Sequence, residues 1–119
     1  MTAPRKEITA AELLAGIEAG TAPTILDVRS AHEFASGHVP GAIHIPFWSL
    51  LVQSPKVLAS PDDEMVVYCG HGPRAYLAGA ALRSRGFRRV TYLQGHMTQW
   101  ASAGLPQERG TSRRPNKGV

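Results

Sequence analysis

The run Met65-Val66-Val67-Tyr68 admits few structures, because no polar residue interrupts it. An antiparallel strand with one wet face alternates apolar and polar residues; a continuous short apolar run is expected where both faces of a parallel sheet are covered. Directly after it come the loop Cys69-Gly70-His71-Gly72 and an Ala- and Leu-rich stretch, 73–85, followed by Gly86. Pro73 suits the first position of a helix and Gly86 its C-terminal cap, so the unit reads as strand, glycine-bearing loop and helix.

Comparable units flank this one. Thr9-Ala10-Ala11-Glu12 has the form of a capping box, and Leu13, Leu14 and Ile17 give an apolar face before Gly20 ends the helix. Thr24-Ile25-Leu26-Asp27-Val28 is a short strand, followed by a second capping box, Ser30-Ala31-His32-Glu33, and a short helix closed by Gly37. Pro40-Gly41 turns the chain into the strand Ala42-Ile43-His44-Ile45, which Pro46 stops, and 48–52 is read as helical. Past the central unit, Arg89-Val90-Thr91-Tyr92-Leu93 is a strand, Gly95 a turn and 96–103 a last helix ended by Gly104 and Pro106. Such alternation predicts an α/β domain with a central, mostly parallel sheet and helices on both faces.

Composition narrows the function classes. The 119 residues, 43% hydrophobic and 18% charged, suit one domain with a buried core. The formal charge is +4, and Arg109, Arg113, Arg114 and Lys117 against Glu108 place +3 of it in residues 107–119. Residues 1–106 are therefore expected to form a nearly neutral domain and 107–119 a basic, disordered tail, which argues against nucleic-acid binding. The richest apolar stretch, Phe47–Val52, is broken by Ser49 and far short of the roughly 18 to 20 residues that span a bilayer, so no membrane partner is expected. The first residues lack an apolar signal core, and a cytoplasmic location is expected. A single cysteine, Cys69, can neither close an internal disulfide nor make a cysteine-based zinc site. His38, His44 and His96 lack the short helical spacing of metal ligands and are expected to be structural or solvent-facing, while Trp48 and Trp100 are expected to pack.

The chemistry concentrates where the buried strand delivers Cys69 to the start of a helix, the edge at which open α/β sheets bind ligands. Gly70 and Gly72 permit tight turns that point successive N–H groups inward, and the helix dipole adds positive potential, so the loop forms an anion cradle. A thiolate at Cys69 is expected to be stabilised there, with Arg74 nearby, which makes Cys69 a nucleophile rather than inert core filler. Asp27 and Arg29 end the first strand at the same sheet edge and are expected to hold neighbouring loops through hydrogen bonds.

These residues resemble the rhodanese-like sulfurtransferases. The matching marks are Asp27-Val28-Arg29, Glu33-Phe34, Gly37-His38-Val39-Pro40-Gly41-Ala42, the loop Cys69-x-x-Gly72-x-Arg74, and Leu93-x-Gly95 followed by Trp100. Together they run from about Ile8 to Pro106, and the family's second glycine after Gly95 is replaced here by His96. The resemblance implies a thiosulfate sulfurtransferase in which Cys69 takes a sulfane sulfur from thiosulfate or a small persulfide, then yields it to a thiol, a thioredoxin-like protein or cyanide. It implies no metal or organic cofactor. The substrate-binding loop would be Gly70, His71, Gly72, Pro73, Arg74 and Ala75, with Arg74 gripping the donor's sulfonate and His71 shaping the loop or facing the acceptor. Two other readings stay open: a rhodanese-like binding module that passes no sulfur, and a Cys-based phosphatase or arsenate reductase. Against the latter, Arg74 follows the cysteine one residue sooner than in the His-Cys-x-x-x-x-x-Arg pattern.

Overall fold

The computed structural model describes residues 7–52 and 60–111. In chain order the described elements are β1 (Glu7–Ile8), α1 (Ala10–Ala19), β2 (Thr24–Asp27), α2 (Ala31–Ser36), β3 (Ile43–His44), α3 (Phe47–Val52), β4 (Met65–Tyr68), α4 (Pro73–Ser84), β5 (Val90–Leu93) and α5 (His96–Ser102). The strands form one parallel sheet in the order β1-β5-β4-β2-β3. The chain is thus an α/β domain of the predicted kind. None of these helices is long and apolar enough to cross a membrane.

Local signals set the elements. Both capping boxes form: Thr9 and Glu12 exchange side-chain and backbone bonds at the start of α1, and Ser30 and Glu33 do so at α2. Helix α1 ends at Gly20, whose φ of +77° is left-handed. The four residues of β4 are all buried, as a central strand between β2 and β5 requires. Strand alternation sorts its side chains: Met65, Val67 and Cys69 pack with Leu82 of α4 and Leu50 of α3 on one face. Val66 and Tyr68 face the opposite side, with Leu13 of α1, Phe34 of α2 and Trp100 of α5.

Three features depart from expectation. Strand β1 is two residues long and pairs with β5, too short to register as a sequence period. Trp48, expected to pack, is 62% exposed, and Leu51 and Val52 on α3 and Tyr76 and Leu77 on α4 are exposed as well. The segment expected to begin a disordered tail at residue 107 is instead held as far as Gly110. His38 and Glu108 exchange two backbone hydrogen bonds of 2.9 Å, the Glu108 carboxylate accepts the Gly41 N–H, and Gly110 N–H donates to the Ala35 carbonyl. Backbone groups of the loop after α2, left without sheet partners, supply the reason. The rest of that predicted tail, 112–119, lies outside the described residues.

Candidate active site

The sheet order makes β2 and β4 neighbours whose chains leave in opposite directions, β2 toward β3 and β4 toward β5. Their C-terminal ends flank the crevice where such sheets place ligands. Asp27 and Tyr68 stand in register, and Val28 N–H donates to the Tyr68 carbonyl at 3.1 Å, so the segments beginning at Asp27 and Cys69 emerge side by side.

Cys69 is the residue after β4, with no exposed surface, at the floor of the loop. Its Sγ accepts the Gly72 N–H at 2.9 Å. That N–H is available because Gly72 adopts φ +140°, which a side chain rarely tolerates, and a Cβ there would stand 3.1 Å from the Tyr76 ring. Pro73 occupies the first turn of α4, and the Tyr76 N–H donates to the Gly72 carbonyl. Gly70 and Ala75 are buried; Pro73 and His71 are exposed, His71 at the rim. The loop carbonyls are held from α5: Met97 N–H donates to Cys69 O at 2.9 Å, while Thr98 N–H and hydroxyl donate to Gly70 O at 3.2 and 2.8 Å.

Arg74 is placed over the loop, its Nη2 3.3 Å from where a Cβ on Gly70 would lie. Expected to reach outward for a donor, its guanidinium is clasped by Glu33 of α2 at 2.7 and 3.1 Å. Those hydrogen bonds raise the Arg74 pKa and hold the Glu33 carboxyl at about 2. The physical reason is that α2 starts at the same sheet edge, where its N-terminal carboxylate meets the only arginine of the loop.

Asp27 and Arg29 form a buried pair rather than lining open space. Arg29 Nε and Nη2 bond the Asp27 carboxylate at 3.0 and 2.7 Å, and Nη2 also donates to the Gly37 carbonyl at 2.7 Å. Burial works against the Arg29 charge, yet the bond to Asp27 and its charge leave the pKa raised. Tyr68 beneath them keeps its hydroxyl neutral, burial and the Asp27 charge pushing its pKa up, and the oxygen accepts the Val39 N–H at 3.0 Å. His38 is likewise buried, Nδ1 on the Phe34 carbonyl with its ring stacked on Phe34, and His44 Nε2 meets the Arg29 carbonyl. His96, expected to be structural or solvent-facing, is structural. It is buried against the loop, with Nδ1 3.3 Å from the Cys69 backbone N.

The arrangement is chemically simple: a buried thiol with an amide on its sulfur, a helix N-terminus behind it, and a guanidinium beside it. Donors of this kind gathered around one sulfur favour negative charge there.

The family model described as the rhodanese-like domain matches residues 9–103. The chain is 34% identical over 82 residues to a sulfurtransferase of Allochromatium vinosum, covering 69% of this chain and 75% of that protein. It is 38% identical over 109 residues to the HTH-type transcriptional regulator Rv0324 of Mycobacterium tuberculosis, covering 90% of this chain. Only 46% of the regulator is matched, so the chain spans less than half of that relative's length. The human single-domain sulfurtransferase TSTD1 superposes with a TM-score of 0.70 at 28% identity, covering 85% of this chain and 97% of that one.

Proposed function

The chain belongs to the rhodanese-like domain family, and from that premise we propose that it is a sulfurtransferase carrying a sulfane sulfur on Cys69. The observation that carries this reading is the Gly72 N–H on the Cys69 Sγ at 2.9 Å, a donor already directed at the sulfur that must bear negative charge. The donor is thiosulfate or a small persulfide. In the first half-reaction the Cys69 thiolate attacks the outer sulfur of thiosulfate; the Sγ–S bond forms as the bond to the inner sulfur breaks, and sulfite leaves with that electron pair. Cys69 is then a persulfide anion, and the N–H groups of residues 70–72, with those of Arg74 and Ala75 at the start of α4, hold its terminal sulfur. In the second half-reaction a thiol or a thioredoxin-like protein, or cyanide in a test tube, attacks that terminal sulfur and Cys69 leaves as thiolate. The Cys69 thiolate has no proton to lose in the first attack, and in the second a thiol acceptor attacks as its thiolate, its proton given up to solvent, so the exposed His71 serves at the rim, facing the acceptor, and not as a base.

Arg74 enters this scheme as a fixed charge. Two of its N–H groups are engaged by Glu33, but a guanidinium has five, and the remainder face a donor's sulfonate from a preset position. Asp27 and Arg29 tie the end of β2 to the neighbouring loop at Gly37.

Intact mass before and after thiosulfate, followed by cyanide, tests the proposal. Gain of one sulfur atom by the wild type, none by Cys69→Ser, and its removal by cyanide are expected. No gain from thiosulfate or glutathione persulfide by a folded protein would overturn it in favour of a binding module.

A further inference from the structure

Among the described non-glycine residues, His96 is the one whose backbone lies in the left-handed region, at φ +50°. That conformation disfavours an L side chain and persists where the surroundings impose it. Its result is that two successive residues of α5 address one residue, through the peptide groups on either side of Cys69. Met97 N–H donates to the Cys69 carbonyl at 2.9 Å, and the His96 Nδ1 accepts the Cys69 N–H at 3.3 Å. The ring is only 4% exposed and meets Tyr76 edge-on, centroids 5.8 Å apart. Its Nε2 would lie 3.5 Å from a Cβ on Gly72. One imidazole therefore accepts the nucleophile's own N–H and walls the glycine whose N–H reaches Sγ.

An imidazole in this role must be neutral, with a lone pair on Nδ1 and its proton on Nε2. The groups that face it are Cys69 and His71 of the loop, Tyr76 of α4 and Glu7 of β1. Burial moves its pKa down, Glu7 opposes this and His71 adds to it, so the neutral form persists below the ordinary imidazole range.

Building on the sulfur-transfer reading above, we propose that His96 is a positioning residue for Cys69: its Nδ1 clamps the Cys69 N–H and so fixes the direction from which Sγ meets donor and acceptor. Orientation of this kind affects the rate of the chemical step more than the binding of a small anion.

Two variants separate the acceptor from the backbone. His96→Gly adopts the left-handed conformation freely and deletes the acceptor; His96→Asn tolerates the same backbone and keeps an oxygen near the place of Nδ1. Persulfide formation would be followed by intact mass over a range of thiosulfate concentrations and pH. H96G is expected to load sulfur about ten- to a hundredfold more slowly at saturating donor, with KM little changed, and H96N to recover most of the rate. Below the ordinary imidazole range, where His96 takes up its proton, the wild type is expected to lose rate more steeply than H96N, which has no titrating group at that position. H96G loading at the wild-type rate, or H96N as slow as H96G, would overturn the clamp. Should H96G fail to fold, an H96N profile with the wild type's full acid fall overturns it. A wild type that takes no sulfur sinks the sulfurtransferase reading and the clamp together, whereas an active wild type with an unimpaired H96G sinks the clamp alone.

Discussion

Glu33 answers to two partners far apart in the chain. Its Oε1 accepts the Ser30 N–H at 2.9 Å as a capping-box member, and the same carboxylate takes both Arg74 contacts. The hydrogen bond from Arg74 is the main reason its pKa lies near 2 rather than 4.5. A folded-state pKa below the unfolded one means that the stabilisation is complete above about 4.5 and is lost as pH falls toward about 2. Because the Glu33 side chain is 37% exposed, solvent screening reduces the contribution to about 1 kcal/mol. Glu33→Gln keeps a capping-box residue and removes the charge. It is expected to lower stability by that amount near neutral pH and by almost nothing at about pH 2, as read from urea midpoints at the two pH values; an equal deficit at both would contradict the ion pair. The capping box could be read from Ser30-x-x-Glu33 alone. The pairing with Arg74 could not, because 41 positions separate the two and nothing local ties them.

Helix α4 illustrates what element-level reading captures and what it leaves out. Its Ala- and Leu-rich composition marks a helix but says nothing of Gly79, which packs against β5 as a contact point. A Cβ there would lie 2.8 Å from Cζ of Tyr92 and nearer still to its hydroxyl, which Arg83 also binds at 2.7 Å. In an open helix Gly→Ala gains about 1 kcal/mol, whereas overpacking a fitted contact costs about 1 to 3 kcal/mol. The clash decides the sign, so Gly79→Ala is expected to destabilise, with partial recovery when Tyr92→Phe removes the hydroxyl. Thermal or urea unfolding of the single and double variants checks this, and a stabilised G79A would show that α4 moves away without cost. Strand β1 escaped notice at this scale for a different reason: two residues carry no period, and their pairing with β5 arises only once the sheet exists.

Across the whole molecule the sheet divides the core in two, α3 and α4 on one side and α1, α2 and α5 on the other. The two tryptophans, alike in sequence as packing residues, fall on opposite sides of the distinction between core and surface. Trp100 has no exposed area and donates its indole N–H to the Pro106 carbonyl at 2.8 Å; Trp48 is 62% exposed. Trp100→Ala is expected to cost about 3 to 5 kcal/mol, and Trp48→Ala to stay within about 0.5 kcal/mol of the wild type, both measured by chemical denaturation. Comparable losses would mean that Trp48 is buried in the protein in solution. By itself the sequence determined the α/β alternation, the buried central strand, both capping boxes and the position of Cys69 between strand and helix. Each of these rests on contacts within a few residues or on a repeating apolar period. Only the tertiary structure decided that Glu33 clasps Arg74, that Asp27 and Arg29 close on Gly37, that Glu108 pins the end of the domain to His38, and that His96 reaches the Cys69 peptide. Those contacts join segments brought together by the order of strands, and that order follows from the packing of the entire chain rather than from any window of it.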